Sequence, residues 1–99
     1  MATAKKYVSE PADLPADETT LILSTWAVGE DGPTPEQSRR WDTIERAAAA
    51  ARVEMSGSNW EGGREYNQVE GDRRSLGKFV RRVMRCRRDP LDLTLYYWG

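Results

Sequence analysis

The change of hydrophobic period along the chain constrains its fold more than any other feature. Thr19–Val28 (TTLILSTWAV) is β-branched and apolar on both alternating faces, with Leu21, Leu23 and Ala27 to one side and Ile22, Trp26 and Val28 to the other. Such a run predicts an interior strand covered on both sides, or one that gives a face to binding. Gly29-Glu30-Asp31-Gly32-Pro33 then reads as a turn. From Thr34 the period becomes helical. Thr34 has the features of an N-cap, Pro35 those of the first helical position, and Gln37 those of a capping-box partner. Trp41, Ile44, Ala48, Ala51 and Met55 recur three and four residues apart, which predicts one apolar stripe continuing to Met55.

Glycine interrupts this pattern. Gly57, Gly62 and Gly63 break any helix, and Gly62-Gly63 between Trp60 and Tyr66 fits the tip of a hairpin. Its strands are expected near Ser58–Glu61 and Arg64–Val69, with a loop as the competing reading. A second helix is expected over Asp72–Asp89, with Leu76, Phe79, Val80 and Val83 on one face and Pro90 as its stop. Leu91–Trp98 alternates, Leu91, Leu93, Leu95 and Tyr97 inward and Asp92, Thr94, Tyr96 and Trp98 outward, as a half-exposed strand does.

The order is β-α-β-β-α-β. It predicts an α+β two-layer sandwich of ferredoxin-like type, with an antiparallel sheet and two helices on one face. Its weak point is Arg64–Val69, which would be a central strand despite holding Arg64, Glu65, Asn67 and Gln68. Residues 1–17, rich in Pro, Ala and acids, read as a flexible N-terminal tail, though Tyr7 and Val8 are placed to pin part of it. Residues 18–99 form a single α+β domain, since halves of a 99-residue chain are too small to bury separate cores.

Composition narrows the function classes. There is no histidine and one cysteine, Cys86. A Ser-His-Asp or Cys-His triad and a Cys/His zinc site are therefore impossible within the chain. Gly62-Gly63 is not followed by the Lys-Ser/Thr of a phosphate loop. A carboxylate pair and a lysine nucleophile are the remaining enzymatic routes, and 16 Asp and Glu residues make accidental pairs inevitable. The expectation is a protein that is not an enzyme and needs no cofactor or metal. A lone cysteine fits a cytoplasmic setting, and Met1–Glu10 has no apolar run after Lys5 and Lys6 to make a signal peptide. No stretch is long and apolar enough for a membrane span.

Net charge is only −1, with 15 Lys and Arg against 16 Asp and Glu, which excludes a bulk polycation. The charges are nevertheless segregated. Residues 73–88 hold eight basic side chains and no acid, whereas residues 7–72 hold fourteen acids against five arginines, a net of −9. On a helix, Arg74, Lys78, Arg81, Arg82 and Arg85 fall opposite the apolar face as one positive stripe. Neutralisation by the chain's own acids is the structural reading of that stripe, and a GC-rich coding sequence would also favour Arg over Lys. The functional reading is an anionic partner, because the guanidinium fork matches carboxylate and phosphate.

Eight of nine aromatics are Trp or Tyr, types enriched at binding hot spots. Trp41 and Tyr97 are expected in the core. Trp26, Trp60, Tyr66, Tyr96 and Trp98 are the candidates for exposure, and Trp26 and Tyr66 would share the open sheet face, where base stacking is a known mode of RNA recognition. Arg64–Val69 lacks the glycine and aromatic spacing of that motif.

The expected function is a protein-binding module acting by surface occlusion, with Arg74, Lys78, Arg81, Arg82 and Arg85 contacting an acidic protein surface and Trp60 and Tyr66 as anchors. By analogy of size alone, inhibitors that phages or mobile elements direct at host nucleic-acid-handling defence machinery, including anti-CRISPR-like proteins, belong to this class. The alternative is a small accessory protein holding nucleic acid phosphates with the same helix. The protein is expected as a monomer or homodimer. A structural subunit is a further reading, with Leu93–Trp98 as an exposed edge strand pairing with a neighbour.

Overall fold

The computed structural model describes residues 4–26, 30–61, 64–86 and 93–99, without the side chains of Ser58, Trp60, Glu61 and Cys86. Five strands, β1 (Lys5–Val8), β2 (Thr20–Trp26), β3 (Glu54–Glu61), β4 (Arg64–Glu70) and β5 (Leu93–Trp98), form one sheet in the order β1-β5-β2-β4-β3, all neighbours antiparallel. Helices α1 (Pro35–Ala51) and α2 (Arg73–Cys86) pack against each other over it. The fold is thus an α+β sandwich. Four of the strands run β5-β2-β4-β3, and the added edge strand β1 makes the sheet not strictly ferredoxin-like.

β2 is the interior strand. Leu23 lies opposite Asn67 of β4 on one side and Leu95 of β5 on the other. Its odd-numbered residues Leu21, Leu23 and Thr25 are buried under the helices. With Val69, Leu93 and Leu95 they meet Ile44, Ala47, Ala48 and Ala51 of α1 and Leu76, Phe79, Val80 and Val83 of α2. The alanine run brings α1 close to the sheet, since small side chains permit close approach.

The start of α1 follows its sequence signals. The Gln37 N–H donates to Thr34 Oγ1 at 3.1 Å, and the Thr34 N–H donates to Gln37 Oε1 at 2.9 Å, completing the capping box. Its end does not follow them. The helix stops at Ala51, where Arg52 turns left-handed at φ 60°, and the stripe expected to reach Met55 breaks there. Met55 instead stands in β3 opposite Val69 and packs on the core from the sheet. Periodicity alone cannot separate these cases, because a strand that reverses over the helix returns its apolar residues to the same core.

The hairpin reading holds, with β3 starting four residues earlier than expected. A bulge falls between Ser56 and Ser58, where Gly57 takes φ +67°. The turn at 62–63 and the predicted stop at Pro90 lie outside the described residues, as do positions 27 and 28 of the first predicted strand.

The N-terminal assignment needs correction. Residues 5–8, read as flexible tail, pair with β5 as an edge strand, and Val8 is buried against the core. A short 3₁₀ turn at Pro11–Asp13 follows. There the Asp13 carboxylate accepts from the N–H groups of Ser9 and Glu10, and Leu14 is buried. Only Val8 and Leu14 point inward, too few for a periodic pattern to show. Consequently β5 is flanked by β1 and β2, and is not the exposed edge expected for pairing with a neighbour.

The polar strand β4 is central, and its side chains are accommodated individually. The Arg64 guanidinium donates to Ser24 Oγ at 2.7 Å and to the Ser24 carbonyl at 3.0 Å. Asn67 is buried on the helix side, and its Nδ2 has no hydrogen-bond partner among the described residues. Two stability changes are expected. Asn67→Leu, which keeps the branching at Cγ and removes the orphaned donor, stabilises the fold by about 1 kcal/mol in denaturant unfolding. Arg52→Gly, relieving a left-handed side chain at a helix end, raises the melting temperature by roughly 4–8 °C, the shift that about 1 kcal/mol produces in a domain of this size.

Candidate functional site

The basic stripe is built from the capping of α2 upward. The Asp72 carboxylate accepts from the Ser75 N–H at 2.7 Å, and the Asp72 carbonyl accepts from the Leu76 N–H at 2.9 Å. This cap starts the helix at Arg73. Leu76, Phe79, Val80 and Val83 are then buried, which fixes the rotation of α2. Arg74, Lys78, Arg81, Arg82 and Arg85 all become exposed on its outer side. Arg73 has a different role, since its guanidinium donates to the carbonyls of Pro11 at 3.1 Å and Leu14 at 3.4 Å and ties the N-terminal segment to α2.

Among the described residues no salt bridge reaches the stripe, though Arg74 is attracted by the Asp72 carboxylate that caps the helix. Among the described residues the ion pair is Arg40 with Glu36 on α1, at 3.0 Å. The five stripe residues thus stand as one field of like charge, in which i,i+4 neighbours such as Lys78 and Arg82 each cost a few tenths of a kcal/mol.

Of the predicted anchors, Tyr66 is not beside the stripe. Tyr66 is opposite Ser24 in register and lies on the sheet face away from the helices. Trp60 pairs with Glu65 in backbone register, and its side chain is outside the described residues. The structure gathers the five cations and separates Tyr66 from them.

Tyr66 belongs to a second assembly. The Lys5 ammonium stands 4.9 Å from the Tyr96 ring centre and 5.9 Å from those of Tyr66 and Trp98. Tyr7 and Trp98 meet Tyr96 edge-on, at 5.9 and 5.6 Å. Tyr96, expected to be exposed, is only 4% exposed, because these neighbours cover it, whereas Tyr7 is 62% and Trp98 53% exposed. Sequence reasoning missed Lys5 and Tyr7, which carry no signal until β1 is paired with β5.

Trp26 leaves this face at the end of β2. Its ring meets Trp41 of α1 at 6.4 Å, and the Arg40 guanidinium lies 5.9 Å from its centre. Trp41 packs on the core only in part, as does Tyr97. A cleft of about 150 Å³ beside the pair is lined by Thr25, Gln37, Ser38 and Glu65 among others. It contains one carboxylate, so it offers no acid–base pair of carboxyl groups. Among the described residues no three metal-ligating side chains converge, and no helix is long and apolar enough to cross a membrane.

The chain matches no family model, no curated protein and no solved structure.

The cap also carries a pH dependence. The Ser75 N–H, followed by the Ser75 hydroxyl, stabilises the Asp72 carboxylate and lowers its pKa below 3.8. The resulting stability is present above pH 3.8 and is lost as pH falls through the lower folded-state value. Asp72→Asn keeps an acceptor oxygen and removes the ionisation. The stability advantage of the parent over this variant in denaturant unfolding is therefore expected to shrink as the solution is acidified through that range.

Proposed function

We propose that the chain is a non-enzymatic binding module that occludes an acidic protein surface, with α2 as its contact. The observation that carries this reading is the exposure of Arg74, Lys78, Arg81, Arg82 and Arg85 together, with no ion pair to any of them among the described residues. A helix that carries like-charge repulsion along Lys78, Arg81, Arg82 and Arg85 is stabilised by whatever brings carboxylates to it. Four of the five are arginine, whose planar fork grips a carboxylate through two parallel hydrogen bonds. The buried apolar face fixes the α2 backbone, so docking costs the freedom of the exposed side chains but little backbone entropy.

Occlusion needs no catalytic group. The absence of histidine from the sequence removes the side chain that most often does general acid–base work near neutral pH. Nucleic acid is the alternative anion for the same stripe. It is disfavoured on α2 by the net of −9 over residues 7–72, a stretch that holds neither Lys5 nor β5.

The expected outcome is that the tagged protein retains a stoichiometric protein partner from nuclease-treated lysate of its own cell. Arg81→Glu with Arg82→Glu then weakens that complex by roughly ten- to a hundred-fold per lost charge pair. Unchanged affinity would remove α2 from the interface. A complex dissolved by nuclease, with log affinity falling by about four for each unit of log salt, would assign the stripe to phosphates.

A further inference from the structure

We propose that the open face of the sheet, on the side away from α1 and α2, binds a single strand of nucleic acid, its bases stacked on Tyr7 and Trp98 and its backbone drawn to Lys5. This inference uses a different face from α2 and stands independently of the reading given to that helix.

Three observations converge on it. First, Tyr7 and Trp98 are the large hydrophobic side chains exposed among the described residues, and register puts both on this face, Tyr7 opposite Tyr96 and Trp98 opposite Lys5. Both rings make T-shaped contacts with the buried ring of Tyr96, which holds them in place while they remain 62% and 53% exposed. Rigid, exposed π-faces are what sequence-tolerant base stacking uses.

Second, a cation sits within the aromatic group. The Lys5 ammonium lies 4.9 Å from the Tyr96 ring and 5.9 Å from the Tyr66 and Trp98 rings, and the residue is exposed. A lysine held over rings keeps donors available to a phosphate oxygen, at the spacing of a base from its own backbone.

Third, the charge on the β1 and β5 side of the face suits a polyanion. The residues of β1, β2 and β5 on this face are Lys5, Tyr7, Thr20, Ile22, Ser24, Thr94, Tyr96 and Trp98, with no acid among them. β4 adds Arg64, Tyr66 and Gln68 before Glu70 at its end. Glu54 and Glu70 oppose each other at the far rim, where β3 closes the sheet. A strand lying over β1 and β5 therefore avoids them. A lipid surface would need an aliphatic face, and Ile22 is the aliphatic residue here. An acidic peptide would use the cation but leave the rings unstacked. A nucleotide uses both.

The test is fluorescence anisotropy of labelled thymidine and uridine octamers with the full chain at low salt. Both octamers are expected to bind saturably and alike, because rings and phosphates, not the sugar, make the contacts. Trp98→Ala weakens binding by about ten-fold or more, and Trp98→Phe retains most of it. Lys5→Gln lowers the salt slope by about 0.7, the share of one phosphate on a single strand. Circular dichroism of each variant separates lost stacking from lost folding, and amide shifts on adding the octamer fall on β1 and β5. Arg81→Glu with Arg82→Glu leaves octamer binding unchanged, and Trp98→Ala leaves capture of a protein partner by α2 unchanged, so either reading can fail alone. No saturation at millimolar protein, a preference beyond ten-fold for one sugar, or binding that survives Trp98→Ala and vanishes in the α2 variant would each overturn the proposal.

Discussion

Leu23 faces Asn67 across one ladder and Leu95 across the other, and everything else in the molecule depends on that register. Side chains alternate along a strand, so a slip of one residue would send Leu21, Leu23 and Thr25 to solvent and bring Ile22 and Ser24 under the helices. Because β2 pairs on both sides, its register is passed to β4 and β5 and through β5 to β1. One face of the sheet is thereby committed to α1 and α2. The other collects Tyr66, Tyr96, Trp98, Tyr7 and Lys5.

The helix layer shows how a chain of nearly balanced charge presents a strongly cationic surface. The eight basic residues of 73–88 repel one another, and isolated helices with such spacing are weakened. Here Leu76, Phe79, Val80 and Val83 bury the opposite face, and Asp72 satisfies the first amides. Burial of four apolar side chains, at about 1.5–3 kcal/mol each, exceeds a few tenths per like-charge pair, so the stripe is tolerated. Arg73 faces the N-terminal segment instead and is consumed by the carbonyls of Pro11 and Leu14.

The two candidate surfaces lie on opposite sides of the sandwich and use different physics. The stripe on α2 is long-ranged and salt-sensitive, suited to steering and to paired carboxylates. The open sheet face is short-ranged, with a single lysine among rings. Between them runs β4, whose polar side chains are handled one at a time, Arg64 on Ser24 above and Asn67 buried below. A central strand of this composition is specified by its neighbours more than by its own propensity.

What the sequence determined by itself is the layer plan. The strand at Thr20–Trp26, the Thr34 capping box, the hairpin about the paired glycines, and the amphipathic α2 are local patterns of two to seventeen residues, and local patterns are legible without a fold. The positive stripe was legible for the same reason, since it needs only helical periodicity and the residues opposite it. The tertiary structure alone decided the rest. Lys5-Lys6-Tyr7-Val8 carries one inward apolar residue, and becomes a strand because β5 supplies its hydrogen bonds. The burial of Tyr96 and the grouping of Lys5 with three rings follow from pairings between residues some sixty to ninety positions apart. Arg52 ended α1 where the apolar stripe continued, because Met55 reaches the same core from β3. Local energetics write the elements, and long-range pairing decides which side chains share a surface.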